Sequence, residues 1–220
     1  MIRVAIDGPA GAGKSTIAKA AAKRLGFIYV DTGALYRAIG FYCVKNMINT
    51  KDASAVEKVL PAITVELKYE NGEQAVILNG ENVNGFIRTE EVSMAASNVS
   101  AIPKVREFLL DMQRNMAKEN SVIMDGRDIA TVVLPFAEVK IFLTASPETR
   151  ARRRVDQLLE KGIKEDYEKV LREVNERDYN DSHRAIAPLK PSEESVIVDT
   201  TELSLEESIE KIYSIITDKR

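Results

Sequence analysis

Short runs of hydrophobic, largely β-branched residues alternate along the chain with longer segments in which hydrophobic residues recur at helical spacing. The runs occupy residues 2–6, 27–30, 122–124, 139–143 and 196–198. Nearly continuous hydrophobic strands that alternate with helices are typical of a parallel sheet covered on both faces. The pattern therefore predicts an α/β fold, with a five-stranded parallel sheet flanked by helices, in a single domain of residues 1–220.

Capping residues indicate where several helices begin. Ser146 followed by Pro147 predicts one helix start. The last helix is expected to begin at Ser204, because Glu207 three residues later completes a capping box. Its helical spacing predicts burial of four hydrophobic residues: Leu205, Ile209, Ile212 and Ile216. Residues 168–184 are expected to be largely helical as well.

Residues 63–84 break this alternation. They contain Asn71-Gly72 and Asn79-Gly80, each between strand-like residues, which is the strongest short-range signal for a β-hairpin. We predict a small three-stranded antiparallel meander inserted into the α/β fold. Two interpretations of this insert are open from the sequence: a subdomain on the substrate side, or a surface decoration.

A phosphate-binding loop is predicted between the first strand and the first helix. Four residues separate Gly8 from Gly13-Lys14-Ser15, and glycines let successive backbone N–H groups turn toward an anion at a helix N-terminus. Lys14 is suited to contact the β- and γ-phosphates of a nucleotide, and the Ser15 hydroxyl to ligate Mg²⁺. A glycine-rich turn without a ligand is the alternative. The predicted loop comprises Gly8, Pro9, Ala10, Gly11, Ala12, Gly13, Lys14, Ser15 and Thr16.

Aspartates follow four of the five hydrophobic runs: Asp7, Asp31, Asp125 and Asp199. The carboxyl ends of parallel strands border the ligand crevice of an open sheet, so several of these acids are expected near the phosphate loop. Asp125 is placed like the acid that holds a Mg²⁺-bound water in phosphate-loop enzymes. Asp199, followed by two threonines, is expected only to form a turn.

Several arginines are candidates for anion binding. After Asp31, Thr32-Gly33 is expected to form a tight turn that places Arg37 in the first turns of a helix. Arg127 follows a strand-end acid and a glycine, and could bind a phosphate bidentately. The alternatives are an ordinary helix start with one exposed arginine, and a weak surface ion pair between Arg127 and Asp128.

Two further arginine groups lie late in the chain. Arg177, Asp181 and Arg184 are four and three residues apart, so they share one helix face, which on its own is typical of a solvated ion-pair ladder. Four cations crowd a helix N-terminus, where the dipole favours acids: Arg150, Arg152, Arg153 and Arg154. We expect them to close over a polyphosphate as a mobile lid. His183, the only histidine, is expected in an exposed loop without a catalytic role.

The composition restricts the classes of function. The chain is 45% hydrophobic and 30% charged, with a net charge of −3 and a pI near 5.5, which argues against general binding to nucleic acids or membranes. The single cysteine, Cys43, lies in a hydrophobic segment and is expected to be a buried, inert thiol. Neither a secretory signal nor a run of about eighteen hydrophobic residues is found, and a cytoplasmic protein is expected.

The order of the motifs resembles the bacterial cytidylate kinases from the first strand to the last helix. The motifs are Gly8 to Thr16, Asp31 to Arg37, Ser97 with Arg106 nine residues on, Asp125 to Asp128, Arg150 to Arg154 and Arg177 to Arg184. The resemblance implies the P-loop nucleoside monophosphate kinase fold and transfer of the γ-phosphoryl group of ATP to CMP or dCMP. It also implies a monophosphate-binding region at residues 32–120, which includes the β insert at 63–84, and a short lid at 150–166.

The resemblance also implies roles for individual residues. The cytosine edge would be recognised by Ser97, Arg106 and Asp128, the acceptor phosphate by Arg37, Arg127 and Arg184, and the ribose by Arg177 and Asp181. Thr32, where many relatives have serine, and Tyr36 would complete the substrate site. Lys14, Arg127 and the lid residue Arg154 would act on the transferring group, and Ser15 with Asp125 would hold Mg²⁺.

Two other functions remain open from the sequence. A P-loop kinase for UMP, AMP or a small alcohol shares the first motif. A nucleotide-switch protein would need loops that respond to the γ-phosphate, and a GTPase would also need a guanine-specificity motif such as Asn-Lys-x-Asp, which neither Asn46 nor Asn180 begins. We expect ATP, CMP and dCMP as the partners, no nucleic acid or membrane, and a monomer.

Overall fold

The computed structural model describes residues 1–70, 73–160 and 162–219, with the side chains of Glu70 and Glu73 outside the description. These residues form two compact units. The first comprises Met1–Tyr29 and Glu119–Arg220, and the second comprises Val30–Lys118. Among the described residues, no helix is long and hydrophobic enough to cross a membrane.

The elements follow the predicted alternation. The strands are β1 (Arg3–Asp7), β2 (Ile28–Asp31), β3 (Val65–Glu70), β4 (Glu73–Leu78), β5 (Glu81–Asn82), β6 (Val122–Gly126), β7 (Val139–Thr144) and β8 (Val196–Asp199). The α-helices are α1 (Lys14–Leu25), α2 (Thr32–Lys45), α3 (Ala53–Val59), α4 (Glu90–Ser100), α5 (Pro103–Met116), α6 (Pro147–Glu160), α7 (Tyr167–His183) and α8 (Leu205–Asp218). A 3₁₀ turn spans Leu60–Ala62 and a π-helical turn spans Ile129–Val133.

The five-stranded sheet has the order β2-β6-β1-β7-β8. Strand β1 pairs in parallel with β6 on one side and β7 on the other, and Asp7 lies opposite Gly126. In the first unit, hydrophobic residues of β1 and β7 pack with those of α1 and α8, and Ile6, Ile141 and Ile212 are fully buried. The predicted parallel sheet flanked by helices is confirmed.

The helix ends follow the local sequence signals. Gly26 ends α1 in the left-handed conformation, the Ser146 hydroxyl accepts the Thr149 N–H, and Ser204 with Glu207 forms the predicted capping box. The predicted burial of Leu205 is wrong, because this side chain is 45% exposed. Residues 205–207 of α8 are exposed, burial begins at Ser208, and Ile209 is half-buried. Helical spacing identifies the buried face, not the point along the helix at which packing starts.

The second unit has its own hydrophobic core, in which α2 packs closely against α4. A Cβ atom on Gly40 would lie 2.8 Å from the Ala96 backbone nitrogen, so only glycine permits this approach. The unit also contains the buried Cys43, as predicted. Burial raises the pKa of its thiol to about 11, which makes Cys43 a poor nucleophile at neutral pH.

The predicted three-stranded antiparallel meander is confirmed, with the order β3-β4-β5. Asn79 and Gly80 have φ angles of 48° and 86°, as a tight hairpin turn of the primed type requires. The other predicted turn, Asn71-Gly72, lies outside the described residues. Val65, Val76 and Leu78 belong to the core of the second unit, so the insert is an integral part of that unit and not a surface decoration.

Candidate active site

The loop between β1 and α1 has the backbone of an anion-binding loop. Gly8, Gly11 and Gly13 have φ angles of 149°, 77° and 87°, all in the region that favours glycine. A Cβ atom on Gly8 would lie 1.9 Å from the Leu143 carbonyl oxygen of the neighbouring strand, so no other residue fits there. The loop leads directly into α1, whose N-terminal N–H groups and dipole attract anions.

Lys14 is the first residue of α1 and is 6% exposed. Its ammonium group donates a 2.7 Å hydrogen bond to the Pro9 carbonyl oxygen and is thereby held inside the loop. Burial lowers the pKa of Lys14 well below its usual value; the positive charge of Arg127 lowers it further, while the carboxylates of Asp125 and Asp7 act in the opposite direction. A polyanion bound in the loop would favour the charged form of Lys14.

Ser15 and Asp125 are brought together, as the sequence predicts for a magnesium site. The Ser15 hydroxyl donates to one oxygen of Asp125 at 2.8 Å, and the Tyr29 hydroxyl donates to the other at 2.9 Å. Hydroxyl and carboxylate oxygens are ligands that Mg²⁺ accepts, and this ion usually retains several waters and substrate phosphates in its coordination shell. The described residues contain no cluster of three or more acidic, histidine or cysteine side chains that could hold a metal.

Asp7 holds the turn that follows the Asp125–Asp128 segment. Its two carboxylate oxygens accept the backbone N–H groups of Ile129 and Ala130 at 2.7 and 2.8 Å. Burial raises the pKa of Asp7 to about 7, although these two hydrogen bonds favour the ionised form. Asp7 therefore supports the site by fixing the backbone at Ile129 and Ala130. Its position at a strand end did not predict this role.

Asp181 of α7 and Arg184, the C-cap residue of this helix, lie against the segment after β6; Asp181 is buried and Arg184 is half-buried. Arg127 Nε donates to Asp181 Oδ2 at 2.8 Å, and Arg184 Nη2 lies 3.7 Å from Asp128 Oδ1. Asp181 is 6% exposed. Burial alone would raise the pKa of Asp181, but the positive charges of Arg127, Arg177 and Arg184 outweigh it and lower that pKa.

This burial corrects two of the sequence interpretations. The interpretation of Arg177, Asp181 and Arg184 as a solvated ion-pair ladder is wrong. Asp181 pairs with Arg127, 54 residues away, and not only with its helix neighbours. The alternative of a weak surface ion pair between Arg127 and Asp128 is wrong as well, because Asp128 is 5% exposed and faces Arg184. His183 is exposed as predicted but ends α7 instead of lying in a loop.

In the second unit, Asp31 organises the start of α2. One carboxylate oxygen caps the helix by accepting the Ala34 N–H at 2.9 Å, and the other accepts Arg37 Nη2 at 2.6 Å and Arg88 Nη2 at 3.3 Å. Because Asp31 is the cap, Thr32 is the first helical residue, and the predicted tight turn at Thr32-Gly33 is wrong. The contact of Arg88 with Asp31 was not predicted, because no motif distinguishes Arg88 from other surface arginines.

Arg106 lies in the first turn of α5 and is 9% exposed. Its guanidinium donates to the Ser100 carbonyl oxygen at 3.2 Å and lies 5.8 Å from the centre of the Tyr36 ring. Ser97 is half-buried on α4. The second unit thus contains Arg37, Ser97 and Arg106, and the first contains Arg127, Asp128, Arg177, Asp181 and Arg184.

Comparison with known proteins identifies the family. The family model described as Cytidylate kinase matches residues 4–218. The chain is 50% identical over 214 residues to a cytidylate kinase of Caldicellulosiruptor bescii, covering 97% of this chain and 95% of that protein. It is 48% identical over 220 residues to one of Lactobacillus gasseri, covering 100% and 96%. The chain belongs to the cytidylate kinase family.

Solved structures support the fold of this family member. A crystal structure of an uncharacterized protein from Eubacterium ventriosum has a TM-score of 0.53 at 14% identity, with full coverage of both chains. A gluconokinase from Sinorhizobium meliloti has a TM-score of 0.50 at 14% identity, covering 99% of this chain and 92% of that one. At such identities the likeness concerns the fold alone, which is that of the P-loop kinases.

The four arginines of α6 in this cytidylate kinase family member have different environments. Arg154 is exposed and Arg152 lies over the Tyr167 ring at 5.5 Å. Arg153 donates to the Thr200 carbonyl oxygen at 2.7 Å. Arg150 is 2% exposed and ion-pairs with Asp178 of α7, so the expectation that all four close over a polyphosphate is wrong for Arg150.

Proposed function

We propose that this enzyme transfers the γ-phosphoryl group of ATP to CMP or dCMP, giving ADP and CDP or dCDP. Membership of the cytidylate kinase family carries this proposal. The anion-binding loop supports it, because Lys14 is held inside the loop by the Pro9 carbonyl and the Ser15–Asp125 pair lies within the same unit.

The chemistry needs positioning and positive charge more than a base. The acceptor phosphate is already an anion at neutral pH, and the transition state spreads negative charge over the oxygens of the transferring group. Lys14 and the backbone N–H groups of the loop would bind the donor phosphates, and Arg127 would offset repulsion between the two anionic substrates. Arg127 is preorganised for this role, because its Nε donates a 2.8 Å hydrogen bond to Asp181 Oδ2 that fixes the orientation of the guanidinium.

We propose the same acceptor roles that the family resemblance implies. Ser97, Arg106 and Asp128 recognise the cytosine edge, Arg177 and Asp181 bind the ribose, and Arg37, Arg127 and Arg184 bind the 5′-phosphate. Thr32 and Tyr36 complete the proposed set of substrate-binding residues. The buried arginine–aspartate contacts support these roles, because fixed guanidinium groups lose little conformational entropy when an anion binds.

ATP is proposed as the donor and Mg²⁺ as its ion. Ser15 and Asp125 would hold Mg²⁺ through the hydroxyl and through bound water, where the ion would neutralise charge on the phosphate oxygens. Exposed Arg154 is proposed to act from a lid at residues 150–166, of which position 161 lies outside the described residues. The enzyme is proposed to be a cytoplasmic monomer, which size-exclusion chromatography and cell fractionation would test.

Acceptor specificity is tested by ADP release with ATP and a panel of nucleoside monophosphates. We expect rapid turnover with CMP and dCMP, and much slower turnover with AMP and GMP. Preference for UMP, AMP or a small alcohol would instead support another P-loop kinase. Slow turnover that is indifferent to every acceptor would support a nucleotide-switch protein.

Replacing Asp181 by alanine should reduce kcat/KM for CMP more than for dCMP, by about fivefold or about 1 kcal/mol. Asp181 is proposed to accept a hydrogen bond from the ribose 2′-hydroxyl, which only CMP can donate. The measurement is kcat/KM for both acceptors in the wild type and in Asp181→Ala.

The exposed Glu176 of the same helix provides the control, since Glu176→Ala should change neither value. If Asp181 only orients Arg127, both acceptors would lose the same factor. An unchanged CMP/dCMP ratio would therefore exclude the 2′-hydroxyl role.

A further inference from the structure

Arg150 connects the phosphate loop to two helices through a buried guanidinium. Nε donates to the Ala145 carbonyl oxygen at 2.9 Å, and Nη1 donates to the Ala10 carbonyl oxygen at 3.1 Å. The carboxylate of Asp178 accepts from Nη1 at 2.9 Å and also from Nη2. Ala10 is part of the loop, so one side chain of α6 binds the loop backbone directly.

The cost of this arrangement indicates that it has a function. Arg150 lies in the first turn of α6, where the helix dipole disfavours a cation. A buried charge is tolerated only when it is paired and hydrogen-bonded. Asp178 of α7 supplies the opposite charge and two carbonyl oxygens supply the remaining partners.

The bond to Ala10 determines the orientation of one loop peptide. In a planar trans peptide, the carbonyl and the N–H of the next residue point in opposite directions. The Ala10 carbonyl is turned toward Arg150, so the Gly11 N–H is turned away from the guanidinium. The loop backbone also packs on the side chain, since a Cβ atom on Gly11 would lie 3.2 Å from Arg150 Cβ.

We propose that Arg150, held by Asp178, is a positioning residue that keeps the Gly11 N–H directed toward the phosphates of ATP. Arg150 touches neither substrate in this role. It acts through the Ala10–Gly11 peptide, and without it this peptide can rotate and withdraw a donor from the anion site. The proposal rests on the proposed function in one respect, the use of ATP as the donor.

Arg150→Met keeps most of the side-chain length and removes all the donors. We expect the dissociation constant for ATP, measured by calorimetry with Mg²⁺ and without acceptor, to rise about tenfold, since a fixed N–H donor to a phosphate is lost. The KM for CMP should stay within twofold. Arg150→Lys retains the charge but has no planar fork, so it should recover only part of the ATP affinity.

Arg3→Met is the matched control. Arg3 belongs to the same unit and is ion-paired with Glu138, but it lies at the opposite end of β1 from the loop. This variant should bind ATP as the wild type does. In ¹H–¹⁵N spectra of the ligand-free protein, the Gly11 amide signal should shift in Arg150→Met and Arg150→Lys and remain in place in Arg3→Met.

Two outcomes would overturn the proposal. One is ATP affinity in Arg150→Met within twofold of the wild type. The other is an equal loss of ATP and CMP affinity together with a lower Tm, which would mean that the Arg150–Asp178 ion pair only joins α6 to α7. If Arg150→Met does not fold, Arg150→Lys and Asp178→Asn are tested instead. For these variants, a rise of less than threefold in the ATP dissociation constant would overturn the proposal.

Failure of the proposed function gives a different result. Because ATP binding is measured without an acceptor, a wild-type enzyme that does not phosphorylate CMP would refute the cytidylate kinase activity alone. The comparison of Arg150→Met with Arg3→Met would still decide whether Arg150 positions the loop.

Discussion

Replacing Lys14 by alanine should lower turnover at least 10²-fold while the protein remains folded. The ammonium group lies inside the phosphate loop, where it would contact the phosphoryl group as negative charge develops on it. A charge-assisted contact of this kind is worth about 1.5–3 kcal/mol even in the ground state and more where water is excluded. The measurement is kcat with saturating ATP and CMP.

Lys23→Ala controls for a lost positive charge on the same helix. Lys23 lies exposed in the last turn of α1, and its removal should leave kcat unchanged. Because Lys14 also bonds to the Pro9 carbonyl, Lys14→Met serves as a second variant that preserves side-chain volume. If both Lys14 variants turn over at the wild-type rate, the proposed role of the loop in phosphoryl transfer is wrong.

Most of the architecture could be predicted because it depends on local signals. Each strand of the parallel sheet is a short hydrophobic run, and each run is separated from the next by helical spacing and capping residues such as Ser146 and Ser204. The β insert was predictable from Asn79-Gly80, whose two positive φ angles few other residue pairs adopt easily. These features need no knowledge of distant parts of the chain.

The partners of buried charges could not be predicted in the same way. Helical spacing places Asp181 beside Arg177 and Arg184, but its closest partner, Arg127, is 54 residues away. Asp7 binds backbone groups 122 and 123 residues away. Such pairs form only when strands and helices pack, so the sequence alone favoured the solvated ladder over the buried cluster.

Arg150 shows how a local conflict can indicate a position without revealing its role. Four cations at a helix N-terminus contradict the helix dipole, and that contradiction suggested a function at this point of the chain. The sequence did not reveal that Asp178 compensates one of them. The structure therefore separates Arg150, which is buried, from Arg154, which is exposed.

Replacing Arg106 by alanine should weaken acceptor binding by about 1.5–3 kcal/mol, or about ten- to 150-fold, with little change in the KM for ATP. Arg106 is 9% exposed and its guanidinium is oriented by the Ser100 carbonyl and the Tyr36 ring. A charged donor that is already fixed can bind the cytosine edge without a further loss of side-chain entropy. The measurement is KM for CMP and for ATP.

The control for Arg106 is Lys104, an exposed residue of the same helix that pairs with Glu107 at 2.8 Å. An exposed pair of this kind contributes little, so Lys104→Ala should leave both KM values unchanged. Because Arg106 also bonds to Ser100, its loss could loosen the turn between α4 and α5; thermal denaturation of Arg106→Ala measures that effect separately. If the KM values for ATP and CMP rise by the same factor and Tm falls, Arg106 supports the fold and does not recognise the base. Selective weakening of CMP at an unchanged Tm is the result that base recognition requires.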